Sequence, residues 1–405
     1  MNMLKENKQL VYLFLCNFSI LIIGFGLFPI LPIYAAEFGA SPSMIGIYLA
    51  VTYIAISIGS ILAGQLSERL PRKSLFVAAG LMGIPALVLL GQAQFLWQVV
   101  VLTALVWFAG GIGLSISNVL TSLHTNSSGR GKAFGLLALA SPLGALIGGL
   151  VVGRSLELGG YSAMFIVLAI IWSLWPVLAL TRVQDPPFCS ASADHSTSPS
   201  GSSLRPGPVF TLLLGTVLLA SMTVSVGRMG FSLAMKDQLF SAGEISTANA
   251  IGGLVTIPVT LLIGTLSDRL GHKRFLLAGY LVALGSMVML FYASELWQFW
   301  VVSTLVLVSR SVISSMAPAY ATDVVRRRFL GKALPLVGTM NWVSGVAGFA
   351  GAGYVLDNFG GGGLYGAAAL VGFMAVLILF FLPASLRPQL QPVVDVKKVI
   401  PSPGD

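Results

Sequence analysis

Twelve runs of mostly apolar residues constrain this chain more than anything else in it. They span 9–34, 43–67, 74–92, 96–122, 132–153, 161–181, 208–235, 246–267, 275–293, 296–320, 334–356 and 364–383. A helix needs about 20 such residues to cross the hydrocarbon core of a bilayer. Only a helix or a closed barrel satisfies its own backbone there, and runs of this length read as helices. Charged residues make up 9% of the chain, hydrophobic residues 56%, and there are 46 glycines. So few charges do not cover the surface of a soluble domain, where about a quarter of residues are charged. They suit a helix bundle in lipid, where glycine lets backbones approach closely. The expected fold class is an all-α membrane protein.

The basic residues give the topology. With the N-terminus inside, nineteen Lys and Arg fall on inner loops and tails, against Arg154 and Lys236 on outer ones; Arg228 and Arg310 lie within the runs. This asymmetry predicts both termini in the cytoplasm. It also assigns the formal net charge of +9 to anionic lipid headgroups, so no nucleic-acid partner is expected. The first run, after Lys5 and Lys8, is longer than a signal-peptide core and reads as a retained membrane helix. A Ser/Pro-rich stretch at 184–207 reads as a flexible linker. It divides the chain into a bundle at 1–183 and a bundle at 208–390, with a tail at 391–405.

The two bundles echo each other at an offset of 200 residues. Gly64 matches Gly264, Leu66-Ser67 matches Leu266-Ser267, and Arg69-Leu70 matches Arg269-Leu270. Leu96-Trp97-Gln98 matches Leu296-Trp297-Gln298, Gly131-Lys132-Ala133 matches Gly331-Lys332-Ala333, and Gly160 matches Gly360. Six helices per repeat keep the orientation, so the halves are parallel and related by an axis along the membrane normal.

The densest polar island is Gly64-Gln65-Leu66-Ser67-Glu68-Arg69-Leu70-Pro71-Arg72-Lys73, and it recurs as Gly264-Thr265-Leu266-Ser267-Asp268-Arg269-Leu270-Gly271-His272-Lys273-Arg274. A glycine, an acid four residues on, an arginine and a basic cluster resemble the loop after the second helix of major facilitator superfamily transporters. The first copy carries Glu68 where that family has Asp, and Pro71 where it has Gly. The resemblance implies twelve transmembrane helices in two six-helix pseudo-symmetric bundles and alternating access around a midplane site. It implies a gate built from Gly64, Glu68, Arg69 and Arg72, and from Gly264, Asp268, Arg269 and Lys273, with the acid facing a helix N-terminus of the other bundle. It places helices one, four, seven and ten around the cavity.

Within the runs, the arginines are the sharpest signal, since a guanidinium at mid-membrane costs about 3 kcal/mol or more. Arg310 is too deep in its run to escape outward and reads as a cavity residue. Arg228 lies nearer the outer end; it either snorkels to the interface or joins Arg310. Trp107, Asn17, Asn118 and Asn341 are candidate substrate contacts, as are Ser225, Ser309 and Ser314. Trp107 stands where proton-coupled relatives often carry an arginine; it either stacks on substrate or packs. Ser141-Pro142-Leu143-Gly144, followed by Gly148, Gly149 and Gly153, loosely resembles the fifth-helix motif of antiporters and reads equally as close packing. Gly345, Gly348, Gly351 and Gly353 form a similar stripe. All fourteen acids lie in loops, tails or near helix ends. Glu37 and Asp237 are the nearest to the cavity apart from the gate acids.

Gly361-Gly362-Gly363-Leu364-Tyr365-Gly366 fits a dinucleotide fingerprint but follows no strand and is expected in an outer loop. Cys16, Cys189 and three isolated histidines give no disulfide or metal pattern, and no cofactor is expected. With no nucleophile–base pair, the chain does not read as an enzyme. The leading expectation is a multi-pass protein of the plasma (inner) membrane that exports small organic solutes, driven by protons or another coupling ion. It is expected to act as a monomer in lipid. An organic-anion transporter or uniporter using the arginines is the second reading, and a ligand sensor that does not transport is the third.

Overall fold

The apolar runs become helices, and prolines and glycines decide where they bend. The computed structural model describes residues 8–125, 130–185, 207–325 and 329–383, without the side chains of residues 130–132, 265 and 268. The expected linker from 186 onward and the 391–405 tail lie outside the described residues. So do Lys5, Cys189 and His195.

The first half contains α1 (Lys8–Gly26), α2 (Leu31–Glu37), α3 (Pro42–Leu66), α4 (Arg72–Leu90), α5 (Leu96–Leu123) and α6 (Arg130–Thr181). The second contains α7 (Pro208–Asp237), α8 (Ala242–Leu270), α9 (His272–Tyr292), α10 (Leu296–Val324) and α11 (Leu330–Phe381). At 1.5 Å per residue, the 52 residues of α6 or α11 would reach about 78 Å, far beyond a bilayer core. Each is two passes joined at a glycine. Gly160 has φ +65° and Gly360 φ +67°, a backbone region that side chains with a Cβ avoid. Contacts show the reversal. Gly144 and Gly148 pack on Leu21 and Gly26 of α1. Tyr161 then packs on Tyr34, the Cys16 thiol approaches the Trp175 carbonyl, and the Arg182 carbonyl meets Gln9. The first arm of α6 therefore runs alongside α1 in the same direction, and the second arm returns.

Two expectations need correction. The first run is not one helix: turns at 27–30 separate α1 from α2. Pro29 and Pro32 remove two backbone donors there. The glycine cluster at 361–363 is not a loop; helix resumes immediately after Gly360.

Several repeated residues acquire shared physical tasks. The Gln98 side chain accepts the backbone N–H of Gln94 and Phe95 at 2.7 and 3.2 Å, and Gln298 accepts those of Ser294 and Glu295 at 2.6 and 2.9 Å. Both glutamines thus satisfy otherwise unpaired donors at a helix start. Ser60–Ser115 and Thr260–Ser311 hydroxyl pairs, at 2.6 and 2.8 Å, join α3 to α5 and α8 to α10. The outer face of the bundle is apolar, with Ile61, Leu262, Phe373 and Phe380 all exposed, as lipid rather than water requires.

The two halves meet closely at the end opposite the polar loops. A Cβ on Gly46 would lie 2.4 Å from the Phe349 carbonyl oxygen, and one on Gly149 would lie 2.6 Å from that of Ser246. Lys236 Nζ reaches Glu37 Oε1 at 3.3 Å across the same seam. At the polar-loop end, a Cβ on Gly64, Gly135, Gly264 or Gly338 would meet nothing within 4 Å among the described residues. The halves form a wedge, sealed at one end and parted at the other.

Candidate functional site

The break between α1 and α2 creates the centre of the site. It brings the Phe25 and Phe28 rings beneath the sealed end, facing α7 and α10. Arg228 Cζ lies 3.4 Å from the Phe28 ring centroid and 5.9 Å from that of Phe25. Arg310 Cζ lies 5.2 Å from the Phe25 centroid. A guanidinium over an aromatic face gains quadrupole attraction that grows as water is excluded. Arg228 Nη1 also donates to the Tyr53 hydroxyl at 2.6 Å. Tyr53 comes from α3, so this bond crosses from one half to the other. Its ring packs on Trp342 and Phe349 of α11, with centroids 5.8 and 5.1 Å away. Gly345 provides the necessary space: a Cβ there would lie 2.0 Å from a Tyr53 ring carbon.

Three adjoining cavities share Arg310 and Trp342. The largest, about 550 Å³, carries Asn17, Asn118, Ser314 and Ser315 on its wall. The second, about 260 Å³, is lined by Tyr53, Ser225 and Asn341. The smallest, about 80 Å³, reaches Trp107, Phe28 and Arg228. No Asp or Glu lines any of the three among the described residues. Two guanidiniums thus sit among hydroxyls, amides and aromatic rings with no carboxylate to neutralise them, a surface that attracts negative charge.

All six candidate contacts border these cavities, though in different roles. Arg310 is half-buried and has contact with all three. Arg228 is only 6% exposed, held by Tyr53 and Phe28; it does not snorkel. Asn17 and Trp107 are buried, while Asn118 is exposed to the largest space. Asn341 Oδ1 accepts from Ser221 Oγ at 2.9 Å. Ser309 is a correction: it is fully buried, bonds the Val306 carbonyl and lines none of these cavities. Tyr53, Phe25, Phe28 and Trp342 escaped sequence reasoning. An aromatic residue in an apolar run carries no contrast, and only Pro29 and Pro32 signal the break that aims two of them.

The polar loops lie apart from this centre. Gly64, Glu68, Arg69, Gly264 and Arg269 are exposed, and Arg72 is half-buried. The Lys73 N–H donates to Asp185 Oδ2 at 3.1 Å. Lys273 Nζ donates to the carbonyls of Phe380, at 3.0 Å, and Leu382, so its charge caps the final helix of its own half. The Asp268 side chain lies outside the described residues. In the glycine stripes, Gly144 and Gly148 seat α6 on α1, whereas Gly149 and Gly153 meet α8 of the other half. Gly345, Gly348 and Gly353 act likewise toward Tyr53, α7 and α3; Gly351 has no such neighbour. Close packing explains these positions in this conformation.

Comparison with known proteins agrees with this architecture. The family model for the Major Facilitator Superfamily matches residues 13–239 and 213–402. A multidrug resistance protein MdtG from Proteus mirabilis (strain HI4320) is 26% identical over 341 residues, covering 80% of this chain and 82% of that protein. The MdtG of Enterobacter lignolyticus (strain SCF1) is 25% identical over 284 residues, covering 67% of each. Among solved structures, nucleoside transporter NupG superposes with TM-score 0.79 at 14% identity, covering 92% of this chain and 99% of that one. A bacterial homolog of the human lysosomal transporter Spinster, in an inward-facing and occupied conformation, gives TM-score 0.74 at 14% identity over 94% and 98%. These structures share the fold. Taken with the twelve passes among the described residues and the split central cavity, the family match identifies the chain as a member of the Major Facilitator Superfamily, an integral membrane protein acting as a secondary transporter rather than an enzyme.

Proposed function

We propose that this protein exports small organic solutes across the inner membrane by alternating access. The observation that carries the reading is the wedge: a cavity of about 550 Å³ lies between two halves that touch at one end and part at the polar-loop end. The charge asymmetry of the loops makes the polar-loop end cytoplasmic, with both termini inside. The conformation described here is then open inward. Residues 1–183 and 208–390 rock as units against each other, in a monomer surrounded by lipid. The MdtG relatives, named for multidrug resistance, support export as the direction.

Arg310 is the solute anchor, with Trp107, Asn17, Asn118 and Asn341 as further contacts and Arg228 as a second charge held in reserve by Tyr53. Gly64, Glu68, Arg69 and Arg72, with Gly264, Asp268, Arg269 and Lys273, form the cytoplasmic gate. They engage when that end closes. A second reading has its own support: two guanidiniums and, among the described residues, no lining carboxylate favour solutes that carry a negative group. Protons are the candidate coupling ion, with Glu37, Asp237 and the gate acids as the available carboxylates.

The deciding experiment uses purified protein in proteoliposomes, following proton movement as lipophilic cations, neutral solutes and organic anions are added in turn. Proton flux with cations or neutral compounds supports general export by antiport. Flux or uptake with anions alone supports the second reading. No response to any class removes the proton-coupled form of the proposal.

A further inference from the structure

Asn249 lies two turns into α8, is 4% exposed, and points across the seam between the halves. Its Nδ2 donates to the Phe25 carbonyl at 3.1 Å and to the Ala145 carbonyl at 3.4 Å. Phe25 belongs to α1 and Ala145 to the first arm of α6, so one side chain of the second half grips two helices of the first.

The sequence of α1 explains why the Phe25 carbonyl needs a donor. In a continuous helix it would accept the N–H of the fourth residue on. That residue is Pro29, which has none. The Ala145 carbonyl differs, since Gly149, four residues on, retains its N–H. Leaving this part-buried carbonyl unpaired costs up to about 1–3 kcal/mol. Asn249 supplies the missing bond from the other half of the molecule. The bond is available only while the seam is closed, because rocking the halves apart withdraws α8 from α1 and α6. The same residue, Phe25, presents its ring to Arg228 and Arg310 and lines two of the three cavities.

We infer that Asn249 is a positioning residue of the transport cycle: it latches the sealed end by replacing the hydrogen bond that Pro29 removes from Phe25, and thereby holds the Phe25 ring against the arginines. The latch makes opening of the far end depend on where Phe25 sits, and so on what occupies the cavity beneath it. It operates whichever class of solute is carried.

The test reads the seam directly and needs no known solute. Ser246 is fully buried on α8, against Gly149 and Gly153, so Ser246→Cys in a background with Cys16 and Cys189 replaced reports opening through its reaction with a membrane-impermeant maleimide. Asn249→Ala should raise the labelling rate about five- to tenfold, the scale of one lost hydrogen bond. Asn249→Asp, which cannot donate, should do the same or more. Pro29→Ala restores an N–H to the helix and makes the latch redundant. Labelling in the Pro29→Ala protein and in the Pro29→Ala/Asn249→Ala protein should then agree within about twofold. Unchanged labelling in Asn249→Ala overturns the proposal. So does equal acceleration by Asn249→Ala with and without Pro29, which would mean that the asparagine merely fills space. If Asn249→Ala alone does not fold, the comparison within the Pro29→Ala background still decides.

Discussion

At the residue scale, the site depends on a few polar groups whose partners are aromatic. Arg310 touches three cavities and has contact with the Phe25 ring; replacing it removes the central positive charge without opening a large gap. Arg310→Gln is expected to lower transport kcat/KM at least about tenfold, matching the roughly 1.5–3 kcal/mol of a hydrogen bond to a charged group. Protein yield and elution in detergent should stay unchanged; flux in proteoliposomes checks it. The Tyr53 hydroxyl occupies a guanidinium donor of Arg228 at 2.6 Å, so on the proposed reading it competes there with solute. Tyr53→Phe keeps the ring packing on Trp342 and Phe349 and frees that donor. Anionic solutes should then bind about tenfold more tightly, while neutral ones do not change, as calorimetric titration of the purified variant would show. The arginines were legible in the sequence because charge inside an apolar run stands out. Tyr53, Phe25, Phe28 and Trp342 were not, because their role comes from facing an arginine on another helix.

At the element scale, prolines and glycines control the helices. The pair Pro29 and Pro32 splits the first run, and the residual turn aims Phe25 and Phe28 at the arginines. Gly160 and Gly360 reverse the two longest helices at positive φ. A Cβ in that backbone region costs about 1–2 kcal/mol. Gly160→Ala or Gly360→Ala should therefore lower the Tm in detergent by a few degrees. Gly351→Ala, at a helical glycine with open space around it, should leave it unchanged. The repeat at an offset of 200 residues was visible as sequence, and so was the expectation of a turn near each glycine. That Gln98 and Gln298 each accept two backbone donors at a helix start emerges only in the folded chain, since a glutamine three residues into a run looks like any other polar residue.

At the scale of the whole molecule, function requires the seam to open. Glu37 and Lys236 face each other across it at 3.3 Å. The pair is partly exposed and contributes at most about 1 kcal/mol, so it marks the seam rather than holding it. Glu37→Cys with Lys236→Cys, joined by a short cleavable bifunctional maleimide, should stop transport, and cleaving the linker should restore it. Persistent flux in the linked protein would refute alternating access through this end. Asp268→Asn is expected to alter the rate of exchange between conformations more than solute affinity, measured by comparing transport rate with equilibrium binding; an effect on affinity alone would remove Asp268 from the gate. Read alone, the amino-acid order determined the solvent, the number of crossings and the duplication, because these follow from hydrophobicity, length and repetition along one dimension. It also marked Arg310 and Arg228, through the energy of placing charge in hydrocarbon. Tertiary structure alone decided that Tyr53 holds Arg228, that Ser309 turns away, that Asn249 meets the Phe25 carbonyl, and which end is sealed. Each of these depends on which faces of distant helices meet, and neighbours along the chain carry no record of that.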